Sequence, residues 1–129
     1  MNKEKILIVE DELILAMEME MKLKDRGFNN IKTISTGEEA IDLAGSYKPN
    51  LVIMDIMLKG KINGIEAASQ ILTSQKIHLI YVTGNSHLKE DTKLIATNPI
   101  DILSKPLSDW ELFNTINKAL KTNKKSGKK

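Results

Sequence analysis

Four apolar residues in a row, Leu51-Val52-Ile53-Met54, stand in the middle of the chain between Asn50 and the carboxylate of Asp55. The run shows no polar alternation, so a strand here has no face to give to water. It must be covered on both sides, which places it inside a parallel sheet. The segment after it, Lys59-Gly60-Lys61-Ile62-Asn63-Gly64, reads as loop. In open α/β sheets, ligands bind in the crevice beyond the carboxyl ends of the strands. Asp55 therefore stands where chemistry is placed. For a lone strand-end Asp, capping the following turn is an equally open role.

The rest of the chain supplies the partners such a strand needs. Ile6-Leu7-Ile8-Val9 is a second apolar run, and it also ends on acid, Glu10-Asp11-Glu12. A helix follows over about 13–26, stopped by Gly27. Leu15, Ala16, Met19 and Leu23 share the face expected to meet the sheet, while Ile14, Met17 and Met21 form a second apolar row. That row is either a wide core face or a docking surface. Ile31-Lys32-Thr33-Ile34 alternates, as suits a strand nearer an edge. Ser35 or Thr36 then caps a helix to about Ser46, with Glu38 and Glu39 in its first turn.

Gly64 opens a helix with Ile65, Ala68, Ile71 and Leu72 inward. The run Ile77 to Val82 is a fourth strand, ending at Thr83-Gly84. A short polar helix is expected over about 89–96, and Ile100 to Leu103 form a fifth strand ending at Ser104-Lys105-Pro106. Ser108 caps the last helix, with Trp110, Leu112, Phe113, Ile116 and Leu120 as its apolar face. Five alternations of strand and helix with short loops predict a parallel sheet covered on both faces. Right-handed crossovers favour the doubly wound strand order 2-1-3-4-5, with its crevice between the first and third strands.

The chain has 129 residues, 41% of them hydrophobic, enough for one domain with a real core. With no cysteine, disulfides, thiolate nucleophiles and Cys-based metal sites are excluded. The apolar runs are too short to span a membrane, and the N-terminus lacks a secretory signal, so a cytoplasmic protein is expected. The net charge of +2 owes much to the lysine-rich end of the chain. A folded unit over residues 1–122 is expected, followed by a basic, disordered tail over 123–129. Nucleic-acid binding by that tail is the lesser alternative, because no recognition helix or aromatic stacking set accompanies it.

At the strand ends the polar residues converge: Glu10 and Asp11 from the first, Asp55 from the third, Thr83 from the fourth, Lys105 from the fifth. Clustered carboxylates repel unless a positive charge sits among them. A hard divalent cation answers this, with Mg²⁺ favoured over Ca²⁺ by few carboxylates and open water positions. A hydroxyl and an ammonium opposite the metal complete a pocket for a phosphoryl group, whose transfer needs positioning and charge neutralisation. The carboxylate nearest the metal could itself be the nucleophile.

These segments resemble the receiver domain of two-component response regulators, across residues 4–121. The matching pieces are Ile6 through Glu12, Leu51 through Asp55, Asn63-Gly64-Ile65-Glu66-Ala67, Val82-Thr83-Gly84 and Lys105-Pro106. The resemblance implies a flavodoxin-like (βα)5 fold and a phosphoryl group accepted on Asp55 from a histidine kinase or histidine phosphotransfer protein. It implies Mg²⁺ or Mn²⁺ held by Glu10, Asp11, Asp55 and the backbone carbonyl of Met57. Thr83 and Lys105 would bind phosphoryl oxygens, and the Lys105–Pro106 bond would be cis. Such a domain is not a turnover enzyme; it signals to a further protein as a monomer or weak dimer, away from membranes and nucleic acid.

Three positions depart from the family pattern. The loop after Asp55 is one residue longer and lacks a proline, Glu10 replaces the commoner Asp, and Ile102 stands where many receivers carry a switching aromatic. A stand-alone relay and a segment of a larger hybrid regulator both fit. A flavodoxin-like cofactor binder is opposed by Glu10-Asp11-Glu12, which would repel a phosphate in the first loop. An aspartate-nucleophile phosphatase is opposed by Met57, where a second acid is wanted.

Overall fold

The computed structural model describes residues 2–128, apart from the side chains of residues 2, 86 and 121–128. The elements run β1 (Asn2–Val9), α1 (Leu13–Asp25), β2 (Phe28–Ile34), α2 (Gly37–Tyr47), β3 (Leu51–Asp55), α3 (Gly64–Leu72), β4 (His78–Thr83), α4 (Thr92–Ala96), β5 (Asp101–Ser104) and α5 (Asp109–Lys128). All five strands are parallel, in the order β2-β1-β3-β4-β5. This is the flavodoxin-like arrangement expected from the alternation of elements.

Alternate residues of the central strands feed two separate cores. Ile6 and Ile8 of β1 and Leu51 and Ile53 of β3 pack with Met19 and Leu23 of α1 and with Leu112, Phe113 and Ile116 of α5. Leu7, Val9, Val52 and Met54 point the other way, onto α2, α3 and Leu94 of α4. Every residue of β3 is buried. Its unbroken apolar run is thus the mark of a strand with a core on each side.

Register carries the strand ends to one place. Val9 pairs with Met54, so Glu10 follows beside Asp55. Asp55 pairs with Val82, and Thr83 pairs with Ser104, which leaves Lys105 one step beyond. The Lys105–Pro106 bond is cis, as the resemblance implied. Gly64 lets α3 start hard against β3. A Cβ there would stand 2.2 Å from the carbonyl oxygen of Asp55, so only glycine fits.

Several local expectations change. Thr36, not Ser35, caps α2, its hydroxyl accepting the Glu39 N–H at 3.1 Å. The expected helix over 89–96 is broken in two, a 3-10 turn at Ser86–Glu90 and the short α4. Asp91 divides them, since its carboxylate accepts the N–H groups of Lys93 and Leu94 and caps α4. Leu15 is only half-buried, at the edge of a cleft. Trp110, assigned to the apolar face of α5, is 74% exposed. It lies six residues before buried Ile116, about 120° around the helix from the face that packs on the sheet. The expected disordered tail, 123–129, lies outside the residues whose side chains are described.

Candidate functional site

The acidic residues at the ends of β1 and β3 meet the lysine that follows β5. The Lys105 ammonium stands 3.3 Å from Oδ2 of Asp55 and 3.3 Å from Oε1 of Glu10. Glu10 and Asp55 are each 3% exposed, although both are acids. Asp11 is the third member: Glu10, Asp11 and Asp55 each offer an oxygen within 4.8 Å of the others. Lys105 is therefore drawn onto the acids, and a purely capping role for Asp55 is excluded.

Backbone donors fix the acids further. Asp55 Oδ1 accepts the Met57 N–H at 3.1 Å, leaving Oδ2 to Lys105. Glu10 Oε2 accepts the Glu12 N–H at 3.1 Å. Asp11 Oδ2 accepts the Lys59 N–H at 2.9 Å. Met57 sits in the loop just past Asp55 with its side chain exposed, so its backbone, not its sulfur, adjoins the acids.

Electrostatics follow from burial. Desolvation pushes the Glu10 carboxyl up to about 7; the Glu12 N–H opposes this, the Asp55 charge reinforces it, and Lys105 only partly offsets it. Burial alone would lower the Lys105 ammonium, but the charges of Asp55 and Glu10 prevail and its pKa is raised. With all three carboxylates in the ionised form that ligates metal, one ammonium leaves a net charge of −2, which a divalent cation would offset. The donors are hard oxygens, so the set fits Mg²⁺.

Thr83 is fully buried at the end of β4, and its hydroxyl accepts the Asn85 N–H at 3.0 Å. It follows Val82, the register partner of Asp55, but its hydroxyl is turned onto its own loop. Beside the cluster a cleft of about 420 Å³ opens between α1 and the segment after β5, floored by Leu15, Met19, Val82 and Leu112.

Two contributors escape sequence reasoning. The N–H of Lys59 is invisible in a side-chain pattern. Glu38 looks like an ordinary acid in a helix's first turn, yet its Oε2 accepts the Lys61 N–H at 3.0 Å. The signal for both was the extra residue in the loop, which needs its own anchors.

The geometry agrees with the comparisons to known proteins. The model of the response regulator receiver domain family matches residues 6–117. Transcriptional regulatory protein PdtaR of Mycobacterium tuberculosis is 30% identical over 116 residues, covering 90% of this chain and 56% of that protein. Response regulator ArlR of Staphylococcus aureus is 33% identical, over 90% of this chain and 52% of its own length. The chain thus spans about half the length of these curated relatives.

Among solved structures, response regulator TrrA of Thermotoga maritima, in complex with Mg(2+)-BeF, aligns with a TM-score of 0.82 and 31% identity, covering 90% of this chain and 98% of that one. A CheY-like receiver domain from Methanospirillum hungatei shares the fold, with a TM-score of 0.88 at 22% identity over 95% of this chain and 98% of that one. With a family model matched from β1 into α5 and the strand-end acids and lysine gathered at one point, the chain belongs to the response regulator receiver domains of two-component systems.

Proposed function

We propose that the domain accepts a phosphoryl group on Asp55 from a histidine kinase or histidine phosphotransfer protein. The observation that carries this reading is Asp55 itself: a buried carboxylate with Oδ1 held by the Met57 N–H and Oδ2 by Lys105. A carboxylate oxygen attacks phosphorus, the O–P bond forms as the donor's N–P bond breaks, and the bonding pair returns to the imidazole nitrogen. Lys105 follows charge as it develops on the phosphoryl oxygens. Thr83, freed from Asn85, can donate its hydroxyl to another.

Glu10, Asp11, Asp55 and the Met57 carbonyl would hold Mg²⁺ or Mn²⁺. When bound, the ion neutralises charge between the acids and the incoming phosphoryl group. The domain is carried through one phosphorylation and one hydrolysis, so it is a signalling element and not a turnover enzyme. No helix among the described residues is long and apolar enough to cross a membrane.

Donor docking belongs to α1. Leu13, Ile14, Met17 and Met21 are 55–72% exposed on a helix that begins beside the acids. Methionine side chains adapt readily at binding surfaces. Output passes to another protein, through a relay or a modest partner-binding switch, with the domain monomeric or weakly dimeric.

Acetyl phosphate with Mg²⁺, followed by intact mass, tests the central claim. One phosphoryl group should add to the wild type and none to Asp55→Asn. Labelling that survives the substitution would sink it.

A further inference from the structure

The loop between β3 and α3 is longer than the family pattern, and two carboxylates from different elements hold its middle. Asp11, after β1, accepts the N–H of Lys59 at 2.9 Å. Glu38, in the first turn of α2, accepts the N–H of Lys61 at 3.0 Å. The residue between them, Gly60, has φ +108°, and a Cβ there would lie 3.1 Å from Glu38 Oε1. A side chain at 60 would be strained and would press on that carboxylate. Glu38 Oε1 is itself buried with no hydrogen-bond partner among the described residues, so the carboxylate is held there for its Oε2 contact and not by a network of its own.

We infer that Glu38 is a positioning residue for the metal: by fixing Lys61, it fixes Lys59 two residues earlier, and through that N–H the orientation of the Asp11 carboxylate. The inference rests on the reading of Glu10, Asp11 and Asp55 as the Mg²⁺ site. Outer partners that orient a ligating carboxylate contribute to metal affinity although they never touch the ion. Glu38 anchors the longer loop from the neighbouring helix. The acid also suits the α2 N-terminus, but that role needs only a charge. The strap needs an acceptor oxygen at the end of a two-methylene arm.

Three substitutions separate these roles. Glu38→Gln keeps the arm and an acceptor oxygen but loses the charge. Glu38→Asp keeps the charge but shortens the arm, and Glu38→Ala loses both. Mg²⁺ affinity is read by titrating backbone amide NMR shifts, with thermal midpoints alongside to show that each variant folds. Asp and Ala should weaken Mg²⁺ binding by up to roughly tenfold, while Gln stays near wild type. The rate of acetyl phosphate labelling at saturating Mg²⁺ should change little, because only the metal requirement moves. Equal affinities for wild type and the Asp and Ala variants overturn the inference. Weakening by Gln as large as that by Ala overturns it too, since charge alone would then be responsible. A wild type that binds no Mg²⁺ overturns the metal site itself, an outcome distinct from both.

Discussion

The ammonium of Lys105 and Oε1 of Glu10 stand 3.3 Å apart, with Glu10 only 3% exposed. Even so, burial outweighs the lysine and lifts Glu10 from 4.5 to about 7. A carboxyl raised in the folded state binds its proton more tightly there than in the unfolded chain. Between pH 4.5 and 7 the folded state then holds the extra proton, so stability falls as pH rises through this window. In chelator, wild type should lose stability between pH 5 and pH 8 relative to Glu10→Gln, by at most about 3 kcal/mol. Urea midpoints at the two pH values measure it. Parallel pH profiles for the two proteins would count against the buried, lysine-paired Glu10.

Gly64 should tolerate no side chain. The Cβ of alanine would fall 2.2 Å from the Asp55 carbonyl oxygen and 2.8 Å from Met54 Cγ, and the first of these is backbone that cannot step aside. α3 would have to withdraw from β3, disturbing the Gly64 N–H to Ile56 carbonyl bond at 2.9 Å. Gly64→Ala should cost about 1–3 kcal/mol. It should also weaken Mg²⁺ binding, because the anchor that is disturbed, the Ile56 carbonyl, lies between Asp55 and Met57. Chemical denaturation and amide shifts read the two effects.

The two exposed methionines of α1, Met17 and Met21, should matter to a protein donor and to nothing else. Met17 is 55% and Met21 64% exposed, so replacing them removes little core packing. The double change to Gln should leave the thermal midpoint and acetyl phosphate labelling unchanged while slowing transfer from a cognate donor by roughly tenfold, about 1.4 kcal/mol. An unfolded double variant would mean that the row is core.

What the sequence disclosed and what it hid differ by the range of the interaction. β3 was legible because an unalternating run has few homes, and Asp55 was legible because strand ends in such sheets face a crevice. Lys105, fifty residues from Asp55 along the chain, became legible only through the doubly wound order. Trp110 misled because its apolarity says nothing about its angle on α5. The break at Asp91 was hidden because a side-chain cap competes with continuation of the helix, and which wins depends on packing. Glu38 and Lys59 were hidden for a plainer reason, since backbone N–H groups leave no trace in residue type.

Tyr81 sets the last expectation, which concerns output. It pairs in register with Ile102, the position where many receivers place a switching aromatic. Its ring is fully buried, and its hydroxyl lies 2.7 Å from Oγ1 of Thr97, just past α4. Thr97 donates in turn to the Leu94 carbonyl at 2.5 Å, so Tyr81 is the donor at the start of the chain. Burial pushes the phenol up to about 12, which keeps that proton in place at neutral pH. The bond ties β4, two residues before Thr83, to the end of α4. Ile102, stiff at χ1, offers no rotating ring to favour one state over another, and a ligand shifts an equilibrium only through such a difference. Beryllium fluoride with Mg²⁺ should therefore shift amides of the loop after Asp55 and of Thr83 to Asn85, with small changes in α4 and no tight dimer. Tyr81→Phe should cost about 1 kcal/mol and let the response spread into α4. Amide NMR and sedimentation, each with and without the fluoride, decide the matter. An activation-dependent dimer through α4, β5 and α5 in the wild type would show that Ile102 does not quiet this face.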